Sequence, residues 1–379
     1  MSADAGERPA IDILTFRAPT AEAAHGALGA ALGEAIRDVA QRRCNAVSSD
    51  VLLGQLATAL RVRKHLEGLL VRAATPDLLR THLGLYLRCV GAWADAAELT
   101  RVLPVHEVLG TPFTAFDLAL FLQDDNTGCQ TGCLRGPDGQ VLLFHTEEDT
   151  VGYFDHPRIV HMDVAGVRRS AFLYPYLLPG PAFGWNAQGV FAYDTLNLER
   201  TEQGGTPTST WSWLCWWMGA QISLADAARA LTPFLDGGAL VHVLRGPLGI
   251  VVEQVEVGGL HVHRSLLVEA PGMRHVQVNI LSAGAAELGG LELYDAAGRE
   301  PYVQRLARGE AALAGLCARP SVASMLQMLG GTDGGTWAFS NADVVAHFVA
   351  EVRVDGMALH VGAGAARGEA RAQLVWELP

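Results

Sequence analysis

Residues 124–149 read DDNTGCQTGCLRGPDGQVLLFHTEED, and the character of the chain changes inside them. Two short apolar runs, GCQTGCLR and QVLLFH, flank Pro137-Asp138-Gly139. Proline presets the first corner of a turn and glycine supplies positive φ, so the stretch reads as a β-hairpin. QVLLF lacks the alternation of a half-exposed strand, which predicts a strand covered on both faces. N-terminal to it the chain reads as helices. Leu28, Leu32, Ile36 and Val39 recur at helical spacing behind Thr20 as a cap, Leu53, Leu56 and Leu60 follow Ser48 or Ser49, and a third helix starts near Pro76. C-terminal to it, strands are predicted at 158–164, 168–176, 189–196, 239–245, 249–257, 260–268, 273–281, 346–361 and 371–378. Helices are predicted in PTSTWSWLCWWMG, in SLADAARALTPF, at 298–316 and at 320–329. Strands in runs with helices in groups argue for a layered α+β fold, two sheets stacked between helical layers, rather than a doubly wound sheet.

The composition narrows function. The chain has 379 residues, half of them hydrophobic, and a formal net charge of −12. An acidic, well-mixed surface argues against nucleic acid or an anionic membrane as partner. There are 27 arginines but one lysine, Lys64, in the exposed-looking helical stretch RVRKHLEG, so Schiff-base or P-loop chemistry would have to use that residue. No apolar signal segment opens the sequence and no run of 18 apolar residues occurs in it. Six cysteines in a chain of this length do not form a disulfide framework, so a reduced, cytoplasmic protein is expected.

Cys129 follows a glycine at the start of a predicted strand. It could be packing, a redox partner, a metal ligand or a nucleophile. A thiol attacks a carbonyl as thiolate and needs a base nearby, commonly histidine. Another solution uses the nucleophile's own α-amine once the preceding peptide bond is cut, because such an amine has a pKa of about 7.7–8.0. That design needs a small residue before the nucleophile and a strand that holds it rigidly, and Gly128-Cys129 supplies both.

The order of motifs resembles that of the acyl-coenzyme A:6-aminopenicillanic acid acyltransferase family, cysteine-type N-terminal-nucleophile hydrolases related to the choloylglycine hydrolases. The matching residues are Gly128-Cys129-Gln130-Thr131, then Asp138-Gly139, then His145-Thr146-Glu147-Glu148-Asp149. GWNAQGVFAYDTLNL places Asn186 and Asn197. GGTP, SLADAARAL, VLRGPLGIVVEQVE ending near Glu253, HVQVNIL with Asn279, and the glycine-rich GALGAALGEAI continue the likeness along nearly the whole chain. The resemblance implies a four-layer αββα N-terminal-nucleophile sandwich made as an inactive precursor, with residues 1–128 a helical pro-segment and residues 129–379 the catalytic subunit. Cleavage between Gly128 and Cys129 would leave the two pieces associated. Cys129 would be the nucleophile of a small-molecule amidohydrolase or acyltransferase, working through an acyl-thioester without a cofactor, with acyl-coenzyme A a candidate co-substrate. Asn197, then Asn186, would complete an oxyanion hole. Glu148 stands where the family carries the aspartate that holds the new amine, with His145 close by. Thr146 replaces the family's asparagine and Trp213 its arginine, so Thr146, Asn279 and an aromatic wall at Trp213 would contact substrate.

Other readings stand beside these. Cys133 lies on the face of Cys129 but about 13 Å away if the strand is regular, beyond the ~7 Å a disulfide spans, which makes it core. His261 and His263 share a strand face, yet no cysteine or carboxylate motif accompanies them, so no metal is expected. The tryptophans at 211, 213, 216 and 217 suit the apolar face of a helix. An uncut relative that binds a ligand or partner without chemistry is the alternative from another class. A third is a thioesterase or thiol-redox protein that works without self-cleavage and takes His145 as its base.

Overall fold

A computed structural model describes residues 11–102, 114–123, 128–148, 158–180, 182–194, 208–222, 226–227, 230, 238–244, 248–257, 260–268, 270–278, 296–330, 344–363 and 374–378. Three long helices open the chain after one strand: β1 (Asp12–Ala18), α1 (Ala21–Asn45), α2 (Ser49–Val71) and α3 (Asp77–Ala96). Thr20 and Ser48 cap α1 and α2, each accepting a hydrogen bond from a backbone N–H three residues on. Pro76 sits at the start of α3, where its missing N–H costs nothing. A short helix, α4 (Ala115–Gln123), completes this part.

The strands form two sheets. The first runs β1-β4-β5-β6-β7-β8-β9-β10, built from β4 (Arg158–Val164), β5 (Val167–Leu173), β6 (Phe183–Asn186), β7 (Gly189–Asp194), β8 (Gly238–Leu244), β9 (Leu248–Val257) and β10 (Leu260–Val268). The second runs β11-β2-β3-β12-β13-β14, built from β2 (Gly128–Arg135), β3 (Val141–Glu148), β11 (Arg274–Gln277), β12 (Val344–Val352), β13 (Met357–Ala363) and β14 (Leu374–Leu378). The pairing of β1 with β4 is parallel and the other described pairings are antiparallel. Helices α5 (Thr208–Gly219), α6 (Ala296–Leu316) and α7 (Val322–Gly330) follow the strands of their sheets.

Period-two alternation sorts the second sheet's side chains into two cores. Cys133, Val141, Leu143, Phe348 and Ala350 face the first sheet, where Phe183 stacks on Phe348 with ring centroids 4.4 Å apart. Leu134, Leu142, Phe144 and Val349 face the other way, onto Leu313 of α6 and Met325, Leu326 and Leu329 of α7. Strand β3 is therefore buried on both faces from Val141 to Glu147, as its unbroken apolar run predicts. On the first sheet α1 and α5 lie against β1, β4 and β5. Helix α1 meets α3 through its glycines: a Cβ at Gly29 would fall 2.3 Å from the Trp93 carbonyl oxygen.

The sequence reading is corrected at several elements, and strand β6 and helix α4 lie in stretches where none was predicted. Strand β1, DILTFRA, lies in a stretch without a predicted strand, and it extends the first sheet from the N-terminal part of the chain. The predicted strand 346–361 is two strands, β12 and β13, because Arg353 N–H bonds back to the Gly356 carbonyl at 2.8 Å and turns the chain there. The SLADAARALTPF helix lies largely outside the described residues. No helix among the described residues is long and apolar enough to cross a membrane.

Candidate active site

The β2–β3 hairpin sets the site's register. Gly139 has φ +84° and closes the turn, with Gly136 N–H on the Gln140 carbonyl at 2.8 Å. From that turn the pairing runs Arg135↔Val141 through Thr131↔His145 to Cys129↔Glu147. Directly paired residues point to the same face of a sheet, so Cys129, Thr131, His145 and Glu147 project together toward the first sheet.

These four side chains and Tyr174 form one buried hydrogen-bonded group. The Cys129 thiol donates to Glu147 Oε2 at 3.0 Å. His145 Nε2 lies 2.8 Å from the same oxygen, and its Nδ1 lies 2.7 Å from Thr131 Oγ1. Tyr174, just past the end of β5 in the first sheet, donates its hydroxyl to Glu147 Oε1. Both oxygens of Glu147 are thereby engaged, and one of them lies between sulfur and imidazole. Cys129, His145 and Glu147 each keep 1% or less of their surface exposed. A carboxylate is tolerated so deep because three donors surround it. The arrangement fixes the thiol on a carboxylate acceptor that the imidazole and the phenol hold in place.

Glu148 goes elsewhere. One residue along an extended strand reverses the side chain, and Glu148 points to the helical side of the second sheet. There Gln130 Nε2 donates to it at 2.6 Å and Arg305 of α6 pairs with it at 3.4 Å. The carboxylate beside Cys129 is Glu147, not the Glu148 expected from the motif. Thr146 shares the face of Glu148, and its buried hydroxyl has no hydrogen-bond partner among the described residues. That face is not the thiol's, which removes Thr146 from contact with anything bound at Cys129.

Asn186 is also placed away from the thiol. Its Oδ1 accepts from Gln188 N–H at 2.7 Å and its Nδ2 donates to the Gly219 carbonyl of α5 at 3.1 Å, so both ends of the amide hold a turn and a helix end. It lines a cavity of about 460 Å³ with Thr15, Arg17, His161, Ser170 and Trp185 on the first sheet. Asn197 and Asn279 lie outside the described residues, as do the side chains of His261, His263 and Glu253. Cys133 is a free, fully buried core thiol whose pKa burial pushes up to about 12.

Trp213 is not a pocket wall beside Cys129. It is fully buried in the helical layer, stacked on Trp217 at 5.2 Å and tilted against Tyr86 of α3. Its indole N–H donates to His25 Nε2 of α1 at 3.0 Å, while His25 Nδ1 donates to the Ala21 carbonyl at 2.8 Å. That geometry requires a neutral imidazole, and burial pushes the His25 pKa down from 6.5 to about 4. A histidine held neutral by folding contributes its stability in full above pH 6.5 and loses it as pH falls toward 4. Between those limits the wild type should lose on the order of 3 kcal/mol. The loss should shrink in His25→Gln, which keeps an acceptor for Trp213 without titrating. Denaturant midpoints at pH 7 and pH 5 for the two proteins measure the difference.

Glu147 and Tyr174 are the members of this buried group that the sequence reading missed. A signal existed for Glu147: the Asp138-Gly139 turn fixes the register, and counting outward from it pairs residue 147 with residue 129. Tyr174 carried none, because it comes from the other sheet. No protein-family model matches this chain, and no curated protein matches it.

Proposed function

We propose that this chain is a self-processing cysteine amidohydrolase or acyltransferase in which Cys129 first cuts its own chain and then acts on a small N-acyl compound. The observation that carries the reading is the thiol's hydrogen bond to Glu147, backed by His145, at the start of β2, a strand buried on both faces. Two sheets packed face to face, with helices α1 and α5 on one and α6 and α7 on the other, agree with the αββα sandwich of N-terminal-nucleophile hydrolases.

The burial of Cys129 supports self-cleavage in particular. A thiol with 1% exposure is closed to solutes, while the carbonyl of Gly128 is covalently adjacent. Holding the reacting groups in one molecule replaces the entropy cost of bringing them together. In the step itself, sulfur forms a bond to the Gly128 carbonyl carbon and the carbon–nitrogen bond breaks. The thiol's proton passes through Glu147 to the departing amide nitrogen, which becomes the α-amine of Cys129. Water then hydrolyses the thioester, leaving a carboxylate on Gly128 and a free thiol beside its own amine. Glu147, directly opposite on β3, then accepts from that amine and holds it. In the second reaction the α-amine takes the thiol's proton and the thiolate attacks the substrate carbonyl. The carbon–nitrogen bond breaks as the α-ammonium returns that proton to the departing amine, and water or another amine then takes the acyl group from sulfur and restores the thiol.

Strand β1 and helices α1 and α3 share one core with β4, β5 and α5, so a cut chain would stay together through apolar contact, His25–Trp213 and the Tyr86–Thr210 hydroxyl pair. The second reading is a thiol hydrolase that stays uncut and uses His145 as base. The nearness of His145 to the Cys129 group favours it, and the burial of the thiol in the whole chain opposes it. Purified protein run on a denaturing gel separates the two. Two bands matching residues 1–128 and 129–379 support self-processing, and one active 40.3 kDa band supports the second reading.

A further inference from the structure

We propose that Cys129, His145 and Glu147 also form a site for one thiophilic divalent cation, zinc by its chemistry, and that the bound ion holds the chain uncut. The ligand atoms Sγ, Nε2 and Oε2 all lie within 4.8 Å of one another and every one belongs to a buried residue. A tetrahedral zinc with bonds of about 2.0–2.3 Å keeps its ligand atoms roughly 3–4 Å apart, so the trio needs to open only slightly from its 2.8 and 3.0 Å contacts. One thiolate, one imidazole and one carboxylate leave the fourth position for water.

The surroundings hold each ligand in the orientation that such an ion requires. Thr131 Oγ1 sits 2.7 Å from His145 Nδ1, where it can accept an Nδ1 proton and leave the Nε2 lone pair for the metal. Tyr174 holds the Glu147 oxygen that faces away from the cluster. Partners of this kind fix ring tautomer and carboxylate direction around metal ions. The ligands stand on two adjacent strands in fixed register, which gives the rigidity a metal site needs.

Binding forms three metal–ligand bonds and releases one proton, that of the thiol, to solvent. The imidazole changes tautomer without net proton loss. The consequence for processing rests on the proposed function: a sulfur bound to zinc cannot attack the Gly128 carbonyl. Because the site is buried, the ion enters as the chain folds.

The test is to refold the full chain with one equivalent of Co²⁺, then of Zn²⁺. The expected result is a thiolate-to-cobalt charge-transfer band, one zinc per chain by nondenaturing mass spectrometry, and an uncut polypeptide, whereas the same chain refolded with chelator cleaves. Cys129→Ser should remove the band. Thr131→Val, which keeps all three ligands, should weaken zinc binding by about 10–100-fold. A missing band in the wild type, or a band that survives Cys129→Ser, overturns the site. If the chelated, metal-free chain also stays whole, self-processing fails, and the cobalt spectrum still decides metal binding separately.

Discussion

Cys129→Ala should leave a single uncut polypeptide and lower amide hydrolysis by on the order of 10⁴-fold or more, as loss of a covalent nucleophile does. Sulfur supplies the attacking atom in both reactions, so both fail together. The folded chain should survive, because the substitution removes one atom and leaves Glu147 its partners His145 and Tyr174. Cys133→Ala is the natural comparison. It lies four residues further along the same strand face, fully buried in the inter-sheet core, and contributes packing rather than chemistry. It should cost about 1 kcal/mol in stability and leave cleavage intact. Denaturing gels, followed by turnover of a panel of chromogenic N-acyl anilides, read both effects. Normal cleavage in Cys129→Ala would remove the nucleophile assignment.

The second large effect separates two neighbouring glutamates. Glu147→Gln should slow self-cleavage by about 10²–10⁴-fold, because a carboxamide cannot take the thiol's proton or hold the new amine as a charged acceptor. Glu147→Ala should in addition destabilise the fold, since the Tyr174 hydroxyl and the His145 ring would be left buried without their acceptor at about 1–3 kcal/mol each. Glu148→Gln should change the cleavage rate less than threefold. Its carboxylate lies across the strand with Gln130 and Arg305, and weakening that partly exposed ion pair costs about 1 kcal/mol. Cleavage rates of freshly refolded protein measure all three. If Glu148→Gln proved the slow variant and Glu147→Gln the normal one, the placement of the site on the inter-sheet face would be mistaken.

This pair of glutamates also marks how far the sequence could be read. The hairpin was legible because Asp138-Gly139 carries its own turn chemistry, and the doubly covered β3 was legible because four apolar residues, Val141 to Phe144, run without alternation. Helix starts at Thr20 and Ser48 followed from side chains that satisfy exposed N–H groups. Strand β1 was not legible, because its seven residues mix charged and apolar side chains and it pairs with a strand about 146 positions away. Glu148 was chosen by analogy of motif, whereas the alternation of a strand decides which carboxylate meets the thiol. Trp213 and Asn186 were read as site residues by the same analogy. What fixes them is tertiary: His25 reaches Trp213 from α1, and the end of α5 reaches Asn186. Tyr174 enters the site from the opposite sheet, a contact that periodicity within one strand cannot reveal.

The central claim, that a peptide bond breaks to give Cys129 an amine of its own, is tested most directly by the intact mass and first residue of the mature, active protein. Two masses are expected, one for residues 1–128 and one for residues 129–379, with cysteine at the start of the larger. An active preparation with the single mass of the uncut 379-residue chain would contradict it.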